Sequence, residues 1–375
     1  MRTTLEPIGL SAPYVDEVEE EALLEVLRSG RLSLGPMTDR FEQALAERVD
    51  VPYVAAVSNG TTGLHLCVRM AGIEPGDEVV TTPLSFIASA NCILYEGGTP
   101  VFVDVDEHTL NLDPDAVEAA ITPRTKALVL VDLFGYPLDI DKFQEIAERH
   151  DVAIIEDACE ALGASYQGRP VGSFGPPAVF AFYPNKQMTT GEGGAVAVQS
   201  EEEWELLKSL ANHGRTDQGE TFTHERLGYN YRLDELSAAL GVAQLGKLDD
   251  ILPLRDEVAA RYNELLADLE GVRLLCADDD VHRRSWFVYV IHVQPPANRD
   301  AVMASLAAEG IASKPYLPAI HLQPAYSRRF GFKEGMFPVT EAAGAQGLAL
   351  PFHTGLAASD QERVVEALGR ALAAA

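Results

Sequence analysis

The sequence predicts an α/β protein, with a large domain over residues 1–245 built on a mostly parallel central sheet and a smaller α+β domain over residues 246–375. Three observations carry this prediction. Short apolar runs of strand length alternate with helix-length segments through the first half of the chain, as a parallel sheet buried on both faces requires. Near residue 245 the pattern changes to a long helical stretch followed by one strongly apolar strand. The 375 residues, 47% apolar, suffice for one large domain plus one smaller one.

The first element is a helix over residues 16–28. Its apolar side chains recur at helical spacing, acids crowd its early turns, and Ser29-Gly30 stops it. It is assigned to the large domain, with packing against the smaller one left open. Residues 53–57 then read as a short buried strand and 61–71 as a helix. Strands follow at 78–80, 100–103, 127–131 and 152–155, separated by helix-length segments. A strand pair at 178–182 and 195–198 is expected to complete the sheet. Helices dominate from Glu201 to about Leu245. In the smaller domain a long helical stretch at 244–269 leads into a strand at 286–293, then helices near 300–309 and 360–373. No internal repeat or low-complexity segment appears.

Composition narrows the function. Twenty-nine basic against fifty-seven acidic residues give a formal charge of -28, which opposes general binding to nucleic acid or to an anionic membrane. An anionic ligand therefore needs a local basic or hydrogen-bonding site. The N-terminal segment lacks the apolar region of a signal peptide and no apolar run reaches membrane-spanning length, so a cytoplasmic location is expected. Cys67, Cys92, Cys159 and Cys276 lie far apart, with neither C-x-x-C nor paired histidines. They read as small core residues, and no metal is expected.

Three segments carry chemistry. Lys186 follows a buried apolar strand and precedes Thr189-Thr190-Gly191-Glu192-Gly193-Gly194, whose glycines allow tight turns and close approach of a ligand. In isolation it would be a solvated surface lysine. On a sheet-edge loop it can be desolvated, which yields the free amine that a carbonyl cofactor needs. Glu156-Asp157 stands at the C-terminal end of a hydrophobic strand, the ligand-binding edge of an open α/β sheet. One of these acids could serve a cofactor, or they could cap a helix. Ser58-Asn59-Gly60-Thr61-Thr62-Gly63 lies between strand and helix, where N–H groups and hydroxyls can hold a phosphate or merely cap the helix. It matches neither the P-loop nor the dinucleotide fingerprint.

In this order, and with Pro83-Leu84-Ser85-Phe86-Ile87-Ala88, Glu156-Asp157-Ala158-Cys159-Glu160-Ala161-Leu162-Gly163 and Gly228-Tyr229-Asn230-Tyr231-Arg232, the segments closely resemble the DegT/DnrJ/EryC1/StrS family of sugar aminotransferases. The resemblance covers nearly the whole chain. It implies the fold type I of pyridoxal-phosphate enzymes, that of aspartate aminotransferase, with pyridoxal 5′-phosphate (PLP) as the cofactor. It further implies a Schiff base on Lys186, Asp157 against the pyridine nitrogen and Phe86 stacked on the ring. Gly60, Thr61 and Thr62 belong to the phosphate turn. Glu160 falls near the ring hydroxyl, where relatives more often have Gln or His. Asn230 and Arg232 are implied to reach the neighbouring subunit's cofactor phosphate and substrate, which makes the enzyme a homodimer with shared sites.

Lys314, Tyr316 and His321 lie in a segment similar to the family's sugar-nucleotide pocket, as does Arg31, although a single histidine is more often structural. One departure stands out. Many relatives have a serine on the cofactor phosphate where this chain has Ala181, so that hydrogen bond is missing or passes to Asn185 or Tyr183. The Gly-Glu-Gly-Gly form after Lys186 resembles relatives that aminate C4 of a nucleotide-linked 4-keto-6-deoxy sugar, with L-glutamate as donor. C3 keto-sugar and cyclitol aminotransferases stay open. A sugar dehydratase of the same fold carries histidine at the lysine position, and a regulator would lack the lysine or the acid.

Overall fold

The apolar runs of the first two hundred residues join into one seven-stranded sheet in the computed structural model, which describes residues 6–216 and 223–374. In chain order the strands are β1 (Tyr53–Val57), β2 (Glu78–Thr81), β3 (Thr99–Phe102), β4 (Thr125–Val131) and β5 (Ala153–Asp157). A short hairpin of β6 (Ser165–Tyr166) and β7 (Arg169–Pro170) leaves the sheet, and β8 (Ala178–Ala181) and β9 (Gly194–Val198) return to it. The lateral order is β1-β9-β8-β5-β4-β2-β3. From β8 to β3 every pairing is parallel, and β9 runs antiparallel to both of its neighbours.

Strand periodicity divides the core between the two faces. Leu128, Leu130, Ile154 and Phe180 pack into one buried cluster, while Ala127, Val129, Ile155 and Val179 pack into the other. Continuous apolar runs are the sequence mark of such a two-faced sheet, and the α/β prediction rested on them.

The later part of the chain adds β10 (Val272–Leu274), β11 (His282–Arg283, paired with β6), β12 (Tyr289–Val293), β13 (Lys314–Pro315) and β14 (Gly347–Leu350). Strands β10, β12, β14 and β13 form a second, antiparallel sheet in that order. Its own core gathers Tyr262, Tyr289, Ile291, Val302, Leu306, Leu348, Val364 and Leu368.

Three expectations change in detail. The helical stretch at 244–269 is two helices, Glu235–Gly246 and Leu248–Leu266, broken at Lys247, whose ammonium bonds Asp16 and Glu19. The strand expected from residue 286 starts at Tyr289, because the carbonyls of Trp286 and Phe287 accept from the Arg255 guanidinium. The N-terminal helix, Glu17–Ser29, packs on the helix Glu235–Gly246, where Gln244 donates to Glu19, and Val26 joins the large core. Only the segment ahead of it reaches the second sheet's core, where Ile8 pairs with Ile311.

Candidate active site

The C-terminal ends of β1, β5 and β8 bring three loops together. After β1 the chain turns into the helix Gly60–Met70, capped by Asn59, whose side chain accepts the Thr62 N–H at 2.9 Å while the Thr62 hydroxyl donates to the Asn59 carbonyl at 2.7 Å. Thr61 is half-buried in the same first turn. The turn is seated flush on its neighbours. A Cβ on Gly60 would stand 2.8 Å from both Ala181 Cβ and Cys159 Sγ, and one on Gly194 only 2.5 Å from the Asn59 carbonyl carbon. Glycine at both positions lets the positive end of the helix meet the β8–β9 hairpin that bears Lys186.

Lys186 lies on that hairpin's loop with its side chain 13% exposed. Its Nζ stands 3.5 Å from Glu160 Oε1 and 4.0 Å from the centroid of the Phe287 ring. The other Glu160 oxygen accepts the Phe134 N–H at 2.9 Å, and burial raises the Glu160 carboxyl above the ordinary glutamate range, with Lys186 opposing the rise. Gln187 donates to the carbonyls of Glu160 and Ser285, at 2.6 and 3.1 Å. Tyr316 packs 5.9 Å from Phe134 and 6.2 Å from Phe287, ring centre to ring centre, and its hydroxyl bonds Asn185.

Asp157 closes β5 and is 4% exposed. Its Oδ2 accepts the Ser89 hydroxyl at 2.6 Å and its Oδ1 the Cys159 N–H at 3.2 Å. Ser89 also bonds Ser85, so the loop carrying Phe86 is tied directly to the acid. Phe86 is 60% exposed, so more than half of a large aromatic side chain is open. Behind Asp157, Glu156 and Asp132 are both 1% exposed; Glu156 Oε1 accepts the Gly172 N–H at 3.4 Å and Asp132 Oδ1 the Leu138 N–H at 2.9 Å, while Glu156 Oε2 and Asp132 Oδ2 have no partner among the described residues. Burial drives both carboxyls upward, Glu156 to about 7.

Lys186, Asp157, Glu160, Phe86, Tyr316 and the 59–62 turn are thus linked by contacts. The other sequence candidates stand elsewhere in the single chain. The segment 230–232 runs beside the start of the turn, with Ser58 N–H donating to the Tyr231 carbonyl at 2.7 Å, Asn230 exposed, and Arg232 bonded to the Asn212 side chain at 2.9 Å. Lys314 is exposed on β13. Arg31 is exposed and bonds the carbonyl of Leu34 in its own loop. His321 is 0% exposed, pairs with Glu341 at 3.0 Å and packs 4.7 Å from Phe337.

Sequence reading missed Ser89, Gln187, Phe287 and Arg255. Ser89 had a signal, because Ser85 and Ser89 are four residues apart at a helix start and can both face the end of β5. The others had none, since their partners are distant in the chain.

An amine beside a buried acid, a carboxylate at the end of a parallel strand, an open aromatic face and a helix N-terminus define the class of site an aminotransferase uses. The chain belongs to the DegT/DnrJ/EryC1/StrS aminotransferase family, whose model matches residues 13–369. Among curated relatives, the GDP-perosamine synthase of Caulobacter vibrioides is 39% identical over 369 residues, covering 97% of this chain and 98% of the relative. The crystal structure of DesV from S. venezuelae, in complex with a ketimine intermediate, aligns with a TM-score of 0.91 and 36% identity over 98% of both chains. The PLP form of Spr1654 of Streptococcus pneumoniae aligns with a TM-score of 0.93 and 28% identity, over 98% of this chain and 99% of that one. The protein is a sugar aminotransferase.

Proposed function

We propose that this enzyme uses pyridoxal 5′-phosphate to move an amino group from L-glutamate to a nucleotide-linked 4-keto-6-deoxy sugar, giving a 4-amino-4,6-dideoxy sugar. The observation that carries the reading is Lys186 held between Glu160 and Phe287 at the sheet edge where Asp157 ends β5. The 39% identity to a GDP-perosamine synthase supports the C4 regiochemistry.

The residues present fit the cofactor. Phe86 offers an aromatic side chain more than half open, Asp157 a buried carboxylate already fixed by Ser89, and the 59–62 turn a helix end free of side-chain bulk at Gly60. Bound there, pyridoxal phosphate supplies the electron sink that lets an amino group pass between carbon skeletons. Asp157 would face the pyridine nitrogen and keep it protonated, and Phe86 would pack on the ring. Lys186 would hold the cofactor through its aldehyde and is the amine that would take up and return the proton moved during the transfer. Glu160, 3.5 Å from the Lys186 amine, would lie near the ring hydroxyl and is the adjacent acid that could answer the charge Lys186 gains and loses. Alanine at 181 has no hydroxyl to offer the cofactor phosphate. Asn185 is engaged by Tyr316 and Tyr183 is exposed, so Tyr183 is the better placed of the two to bond the phosphate instead. Tyr316 and Lys314 face the acceptor sugar nucleotide. Asn230 and Arg232 serve a second copy's site in a cytoplasmic homodimer.

Assay of a panel of keto-sugar nucleotides with glutamate tests the regiochemistry. Amination of 4-keto-6-deoxy sugars is expected, and turnover of only C3 ketones or an inosose would overturn it.

A further inference from the structure

Arg255, in the helix Leu248–Leu266, is 3% exposed, yet no carboxylate pairs with it among the described residues. A buried cation without a counter-ion is costly, so its contacts need a reason. Its bonds go to main-chain carbonyls. Nη2 donates to Lys186 at 2.7 Å, and Nη1 to Phe287 at 3.3 Å and Trp286 at 3.4 Å. The guanidinium lies over Phe352, 5.6 Å from its centroid. Burial lowers its pKa to about 10, which leaves it charged at neutral pH.

The two carbonyls gripped at closest range by its two amino groups belong to the two residues that face each other at the amine. Phe287 supplies the ring 4.0 Å from Lys186 Nζ. Their side chains come from different sheets, with Lys186 following β8 and Phe287 preceding β12, and the guanidinium bridges both from behind. A planar fork suits this, because its two amino groups are set apart and point in fixed directions, a geometry that the single nitrogen of an ammonium does not reproduce.

We propose that Arg255 is a positioning residue for Lys186: by holding the carbonyls of Lys186 and Phe287 together it fixes the amine against the Phe287 ring and so sets where the nucleophile stands. This rests on the reading of Lys186 as the cofactor lysine. A residue acting only as a bolt between the two sheets would change stability without changing how fast the amine reacts.

A double-mutant cycle separates the two roles. Wild type, Arg255→Lys, Phe287→Leu and the double variant are freed of cofactor and mixed with pyridoxal phosphate, and the rate of imine absorbance is followed alongside the melting temperature. Arg255→Lys is expected to slow capture about tenfold, because small misplacements of a reacting group are costly in rate. In the Phe287→Leu background the same change should cost little, since the alignment it maintains is already gone. Arg255→Gln, which keeps two donors without the charge, takes its place in the cycle if the lysine variant does not fold. Capture at the wild-type rate with a lowered melting temperature, or rate losses that simply multiply in the double variant, would overturn the proposal. Peptide mapping of the borohydride-reduced wild type distinguishes the underlying reading: cofactor on another lysine would remove the basis for both.

Discussion

At Lys186 the surroundings combine one buried acid, one aromatic face and one main-chain anchor, and each constrains the amine differently. Asp157 is held just as specifically. Its bond from Ser89, at 2.6 Å, is a hydrogen bond to a charged group and is worth about 1.5–3 kcal/mol. Ser89→Ala should therefore weaken pyridoxal phosphate binding about tenfold or more, at roughly 1.4 kcal/mol per factor of ten. A spectroscopic titration would show this, and an unchanged affinity would mean that Ser89 does not orient the acid. Lys186, Asp157 and Phe86 were legible in the sequence because each stands in a contiguous motif. Arg255 was not, because its partners are carbonyls 69 residues upstream and 32 residues downstream, and carbonyls leave no mark on composition.

At the level of elements, the end of β5 carries two adjacent acids with different surroundings. Asp157 faces the loops, while Glu156 turns inward to Asp132. Burial raises Glu156 from 4.5 to about 7, so the folded protein holds a proton that the unfolded chain releases between those values. Stability then falls as pH rises from about 4.5 to 7, by on the order of 3 kcal/mol from this group. Glu156→Gln should flatten that decline, as denaturant melts at pH 5 and pH 8 would register. An undiminished slope would contradict a proton held on Glu156. The sheet itself was easy to read, since strands covered on both faces are apolar throughout. Strand β14 was harder: Gly347–Leu350 is a four-residue run directly after an alanine-rich helix, Pro338–Gln346, with no turn residue except the glycine between them. The break at Lys247 had one signal, Gly246 directly before it, set between leucines that continue the helical pattern on both sides.

At the scale of the whole molecule, a formal charge of -28 leaves recognition of an anionic sugar nucleotide to local groups. Among the described residues no helix is long and apolar enough to cross a membrane. Arg232 has the donors for a phosphate, with its Nε unbonded and one amino group on Asn212, and in the proposed homodimer it serves the neighbouring site. Co-expression of a Lys186→Ala chain with an Arg232→Ala chain then gives heterodimers with one intact site. With random pairing about a quarter of wild-type activity should return, whereas inactive confirmed heterodimers would argue that each site is built from one chain.

The central claim is that Lys186 carries the cofactor, and borohydride reduction of the holoenzyme followed by peptide mapping tests it most directly. The account predicts the reduced pyridoxyl group on the peptide containing Phe182-Tyr183-Pro184-Asn185-Lys186-Gln187, and none in the Lys186→Ala variant. Label on any other lysine, or no label in wild type, would contradict it.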